Sequence, residues 1–129
     1  MNLQYIKIGL AQILAVSLIG CALVKDEPAL DERLAEYGYR PGESVEAVDD
    51  YQVTDWQYLD DRHLIFSNNN AEHYLLSLRK NCTALRSAEQ LAFKPISDAL
   101  TRIDDVIASN SEALSRCAIE TISMVYPSE

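Results

Sequence analysis

From Ile8 to Ile19 the chain is apolar except for Gly9, Gln12 and Ser17, and the stretch runs into Gly20-Cys21. No other feature limits the fold as much, because it decides which residues remain to fold and in which compartment. The stretch is too short to cross a ~30 Å hydrocarbon core comfortably, which takes about 20 residues. Its length suits the apolar region of a secretory signal peptide, and Lys7 supplies the positive charge ahead of it. Residues 1–20 are therefore expected to be a cleaved leader that takes no part in the folded domain.

The last four residues of this segment, Leu18-Ile19-Gly20-Cys21, resemble the lipobox of bacterial lipoproteins. The pattern has a chemical basis. Diacylglycerol is attached to a thiol, so sulfur is needed at Cys21, and the peptidase that cuts before it needs a small residue, here Gly20. Ile19 is a less common choice at its position than Ala or Ser. One acyl chain anchors weakly, whereas two or three hold a protein at the membrane permanently. Residue 22 is Ala rather than the Asp that retains lipoproteins in the inner membrane of enteric bacteria. The expected location is the outer membrane, facing the periplasm.

Charge is consistent with that address. The chain carries 11 Lys+Arg against 20 Asp+Glu, a formal net charge of −9. Phosphate would repel such a chain, which argues against nucleic acid as a partner. Anionic head groups would repel it too, so a lipid on Cys21 has to do the anchoring. Once the leader and a tether over 21–50 are set aside, roughly 80 residues remain, near the lower limit for a domain stabilised by burial alone.

Within the tether, Leu30, Leu34 and Tyr37 fall on one face of a helix predicted over 29–37. Pro28 is placed to open it and Gly38 to end it. Arg40-Pro41-Gly42-Glu43 has the composition of a turn. From Tyr51 onward the pattern becomes strand-like. Tyr51 to Tyr58, His63 to Phe66 and His73 to Leu78 predict consecutive antiparallel hairpins, with Asn68-Asn69-Asn70 as a loop. Thr83 to Glu89 is ambiguous and has the look of a helical turn. Leu91 to Ile96 predicts an edge strand containing Pro95, and Ile103–Ala108 with Cys117–Val125 predicts a final hairpin. The expected class is mainly β. We expect a small antiparallel curled sheet or partial barrel over 51–129, with a short N-terminal helix before it.

With Cys21 assigned to the lipid, Cys82 and Cys117 remain. In an oxidising compartment two such residues usually pair, and a disulfide is expected. Two buried free thiols are the alternative. A metal site is disfavoured, since no second cysteine lies near either one in sequence. The sharpest cluster of chemistry-bearing residues is Asp60-Asp61-Arg62-His63. An acid next to a histidine can orient a general base, but a structural turn in which Arg62 pairs with either Asp is the better reading. His63 and His73 flank the Asn loop and with Asp61 could hold a metal weakly, but two exposed histidines are the better reading. Trp56 and Tyr58 are expected in the core. No cofactor is implied.

From about Leu34 onward the chain resembles a family of small proteobacterial envelope lipoproteins to which no activity is attached. The resemblance rests on Trp56-Gln57-Tyr58-Leu59-Asp60-Asp61-Arg62-His63, on Tyr74-Leu75-Leu76-Ser77-Leu78-Arg79, and on Cys82 with Leu85-Arg86-Ser87-Ala88. Leu100-Thr101-Arg102-Ile103-Asp104 and Cys117-Ala118-Ile119 continue it. Members more often have a tight Gly-containing turn before the last strand and Pro after its cysteine, where this chain has Ser109–Arg116 and Ala118. The resemblance implies a lipoprotein with a disulfide. Together these readings lead to a non-enzymatic accessory or binding module with an envelope protein as partner. The alternative is a small enzyme or metal-dependent factor using His63, His73 and Asp60/Asp61.

Overall fold

The computed structural model describes residues 29–128. The leader over 1–20, Cys21 and the tether up to residue 28 lie outside the described residues. The described residues open with helix α1, Leu30–Glu36. The Glu32 carboxylate accepts the Ala29 N–H at 3.0 Å, which satisfies one of the unpaired donors of the first turn. Asp31 and Glu32 place negative charge at the positive end of the helix. Gly38, at φ +87°, ends it in a conformation that side chains resist. Of the predicted stripe, Leu34 is fully buried and Leu30 is half-buried, while Tyr37 remains 44% exposed. The helix is therefore shorter than 29–37 and uses a narrower face.

After the helix comes a correction. Arg40-Pro41-Gly42-Glu43 is not a turn but the middle of strand β1, Tyr39–Val45. The ladder to the last strand shifts register between Pro41 and Ser44, and a bulge tolerates a proline that a regular ladder would not. Gly42 serves a close approach. A Cβ there would come within 2.5 Å of the Tyr126 ring and 2.8 Å of the Met124 carbonyl oxygen. The sheet thus begins inside the stretch that the sequence assigned to the tether.

The remaining elements are β2 (Ala47–Val48), β3 (Asp55–Asp60), β4 (His63–Ser67) and β5 (His73–Leu78). A 3-10 turn at Thr83–Ser87 follows, then β6 (Gln90–Phe93), β7 (Leu100–Thr101), β8 (Asp105–Ser109) and β9 (Leu114–Pro127). The main sheet has the order β3-β4-β5-β9-β8-β6, with β1 also on β9, and β2 pairs with β7 as a separate ribbon. The result is a curled antiparallel half-barrel, the predicted class. β9 holds it together. It pairs with β8 through Leu114–Ala118 and with β1 through Ile122–Pro127, while β5 runs along Ile119–Val125.

Strand limits depart from the pattern at several places, and the last strand runs Leu114–Pro127 against the expected Cys117–Val125. The β3 ladder starts at Asp55, and Tyr51 and Val53 leave it to pack on the core. β6 ends at Phe93, before Pro95, which leaves Ile96 80% exposed. The strand expected from Ile103 begins at Asp105 instead, because residues 101–104 form a turn around Asp104. The Asp104 carboxylate is buried and accepts the N–H groups of Ile96 at 3.1 Å and Thr101 at 2.8 Å.

Both faces of the sheet are covered. Leu64, Phe66, Tyr74, Leu76, Leu78, Val106 and Ile122 line the concave face, and Val48, Leu85, Leu91 and Leu100 fill it. Phe66 lies between Tyr74 and Phe93, with ring centroids 5.3 and 4.8 Å away. On the other face α1 lays Leu34 over Leu59, Ile65, Leu75 and Val125. Fully burying each such side chain is worth about 1.5–3 kcal/mol. Cys82 and Cys117 form a disulfide, with Cα atoms 6.2 Å apart, that ties the start of the 3-10 turn to β9.

Candidate functional site

The Asp60-Asp61-Arg62-His63 segment is the reversal from β3 to β4, with Asp60 and His63 facing each other as the closing pair. Asp60 Oδ1 accepts the Arg62 N–H at 2.8 Å, which fixes the turn. The same carboxylate meets His63 Nδ1 at 2.9 and 3.1 Å. Arg33 reaches over from α1, donating to the Leu59 carbonyl at 3.2 Å and standing 4.0 Å from Asp60 Oδ2. Asp61 takes a different set of partners. Arg86, on the 3-10 turn, grips it with two hydrogen bonds of 2.9 and 2.6 Å, and the Tyr58 hydroxyl donates to it at 2.8 Å. The Asp61 carbonyl accepts the Cys82 N–H at 2.7 Å.

Arg62 pairs with neither aspartate, contrary to expectation. It donates to the Leu78 carbonyl at 3.0 Å and to Glu120 at 3.0 Å. Successive residues at a tight reversal point apart, so each charge finds its partner on a different element across the sheet.

The electrostatics follow from these contacts. The Arg86 guanidinium, then the Tyr58 hydroxyl, hold the Asp61 carboxyl below its ordinary range. Asp61 in return raises the Arg86 guanidinium. Burial, then the bond to Asp61, push the Tyr58 phenol up. The side chains enclose an open polar cleft of about 390 Å³ that also takes in Asn81. The cleft offers an imidazole oriented by a carboxylate, but no Ser, Thr or Cys lines it and the Tyr58 proton is committed to Asp61. Its groups satisfy one another, and in doing so they tie the helix, the β3–β4 turn and the 3-10 turn together.

The two histidines do not converge. His63 lies opposite Ser77 and His73 opposite Ser67, at the two ends of the β4–β5 hairpin. His73 Nδ1 sits 2.6 Å from Ser67 Oγ, and its ring stands 5.3 Å from that of Tyr39. The pairing register, which the sequence does not display, keeps them apart. The weak metal site weighed for His63, His73 and Asp61 is therefore not assembled. Among the described residues no group of three or more His, Cys, Asp or Glu is disposed to hold a metal. The Asn loop is built as expected, with Asn68 Oδ1 accepting the N–H groups of Asn70 and Glu72 at 3.0 Å each. Its left-handed residue, however, is Ala71 at φ 60° and not an asparagine.

A second feature lies at the edges of the main sheet. β3 and β6 are the two ends of the main sheet order, so among the described residues each has an edge without a strand neighbour. These edges face each other across a cleft of about 380 Å³, with Val53–Trp56 on one side and Glu89–Ala92 and Ser109 on the other. A further cleft of about 400 Å³ continues it between Tyr51–Val53 and Leu91–Phe93. Trp56, expected in the core, is half-buried. It packs against the core and also lines this gap. At the far end of β3 the Arg86–Asp61 pair holds the 3-10 turn against the same edge. The only hint of the gap in the sequence is the brevity of β6 ahead of Pro95.

A family model described as a family of unknown function, DUF6491, matches residues 4–129. The chain belongs to the DUF6491 family. No curated protein and no solved structure matches it. The DUF6491 match takes in the apolar segment over 8–19 and Cys21 as well as the half-barrel. Among the described residues of this DUF6491 chain no helix is long and apolar enough to cross a membrane.

Proposed function

We propose that this chain is a proteobacterial envelope lipoprotein, anchored through Cys21 to the periplasmic face of the outer membrane and acting there as a non-enzymatic binding module. The observation that carries the reading is the division of the three cysteines. Cys82 and Cys117 are joined to each other, which leaves Cys21, at the end of an apolar leader, as the one thiol available for lipid. Ala22 favours the outer membrane. The acidic surface keeps the domain off anionic head groups, and the filled concave face favours contact through surfaces over enclosure of a small ligand. The partner is an envelope protein.

Labelling with radioactive palmitate tests the anchor. Cys21→Ser is expected to abolish label incorporation and leave the precursor uncut. A variant still cut and still sedimenting with membranes refutes it. Recovery mainly with the inner membrane would overturn the sorting alone. The Asp60–His63 contact is the one observation that favours a small acid–base enzyme instead. Replacing both His63 and His73 with Asn separates the two readings. Loss of the deletion-complementing phenotype at unchanged melting temperature supports the enzyme, and an intact phenotype supports the module.

A further inference from the structure

The gap between β3 and β6 carries an inference about what the module binds. On the side away from β4 and β8, each edge presents backbone N–H and C=O groups that no strand among the described residues pairs. One side of the gap is Tyr51–Trp56, of which Asp55 and Trp56 belong to β3, and the other is Glu89–Phe93, of which Gln90–Phe93 is β6, a span close to the ordinary strand length of about 5–6 residues. Neighbouring strands lie about 4.8 Å apart, so one extended segment between two facing edges can hydrogen-bond to both. Trp56 and Leu91 line the gap and offer apolar contact to alternate side chains of such a segment.

Charge selects the occupant. The charged residues that line the gap are Asp55 and Glu89, and no Lys or Arg does. The chain as a whole is at −9, so a second copy would bring like charge to a carboxylate-flanked edge. We infer that the β3–β6 gap is a docking site for an extended basic peptide segment of a partner protein, which adds as a strand and closes the half-barrel. This rests on the binding-module reading and names the partner's chemistry.

The chain contains a single tryptophan, and it lines the gap, so binding can be read without a label. The protein purified from envelopes in detergent, disulfide intact, is titrated with a short synthetic peptide alternating Lys and Val. Two controls accompany it: the same peptide N-methylated at alternate residues, and a Glu/Val counterpart. The Lys/Val peptide is expected to shift Trp56 emission saturably. N-methylation keeps charge and removes backbone donors, and is expected to weaken binding by at least about tenfold. The Asp55→Lys/Glu89→Lys variant should lose about tenfold for the Lys/Val peptide and gain for the Glu/Val one. Both positions are exposed, so this variant should keep its fold. Amide exchange in the unmodified protein gives a readout that needs no variant, with slower exchange expected along β3 and β6 when peptide is present.

An unmoved Trp56 emission, equal binding of the N-methylated peptide, or a charge swap without effect each overturns the inference. So does sedimentation as a dimer that excludes the peptide. If an envelope partner is crosslinked to the anchored chain while no peptide enters the gap, the binding module stands and this inference falls.

Discussion

Reducing the Cys82–Cys117 bond should cost this domain much of its stability. The two residues are separated by 35 positions, and they join the 3-10 turn to β9. In the chain-entropy treatment a loop of that size restricts the unfolded chain by about 4 kcal/mol. Cys82 is also 5% exposed and packed in the main core, so Cys82→Ala removes a little buried sulfur surface as well. Total stabilities of small domains run at about 5–15 kcal/mol, so the bond accounts for a large share. At about 4–8 °C per kcal/mol for a domain of this size, the midpoint should fall by about 15–30 °C. Circular dichroism melts with and without reductant measure this directly. The Cys82→Ala/Cys117→Ala double variant should melt close to the reduced protein. Native protein with two freely alkylated thiols, or a midpoint that reductant leaves unmoved, refutes the reasoning.

Three further outcomes are expected. The Asp61 carboxyl titrates below its unfolded value, so its contribution is complete above about pH 4 and fades as pH falls through the lowered folded value; Asp61→Asn should therefore melt lower at neutral pH and show a shallower acid limb, and an unchanged acid limb counts against the Arg86 latch. Asp104→Ala leaves the N–H groups of Ile96 and Thr101 without their buried acceptor and should cost about 2–4 kcal/mol by denaturant titration, whereas a change under about 0.5 kcal/mol would mean that the loop re-forms around water. Gly42→Ala drives a Cβ against the Tyr126 ring and the Met124 carbonyl and should cost about 1–3 kcal/mol, with Tyr126→Ala giving only partial relief because the backbone contact remains.

What the sequence displayed was what local rules govern. β4 and β5 were legible because Tyr74, Leu76 and Leu78 alternate with residues of the other face, and alternation is a property of the strand itself. The disulfide was legible because few cysteines leave few pairings. β1 was hidden because Pro41 and Gly42 carry the composition of a turn, while their actual cause, a bulge and the approach of Tyr126, lies at the other end of the chain. The charged cluster was legible as a turn but not in its partners. Arg86 and Glu120 reach it only after the 3-10 turn and β9 have come alongside. The separation of His63 and His73 and the open gap depend on register and on how far the sheet curls, which are settled between strands and not within them.

β9 sets an order of events. It is the last strand of the described chain, yet β1, β5 and β8 all form their ladders on it. Before it arrives, the chain has the β3–β4–β5 meander and the β6–β8 pair, with no ladder to join the two and no strand partner for β1. Pairings that span most of the chain form slowly, because a large loop must close before any contact rewards it. A chain delivered from its N-terminus therefore cannot complete the sheet until β9 emerges. For the exported lipoprotein proposed above, that timing suits passage through a narrow channel, where a domain that folded early would jam.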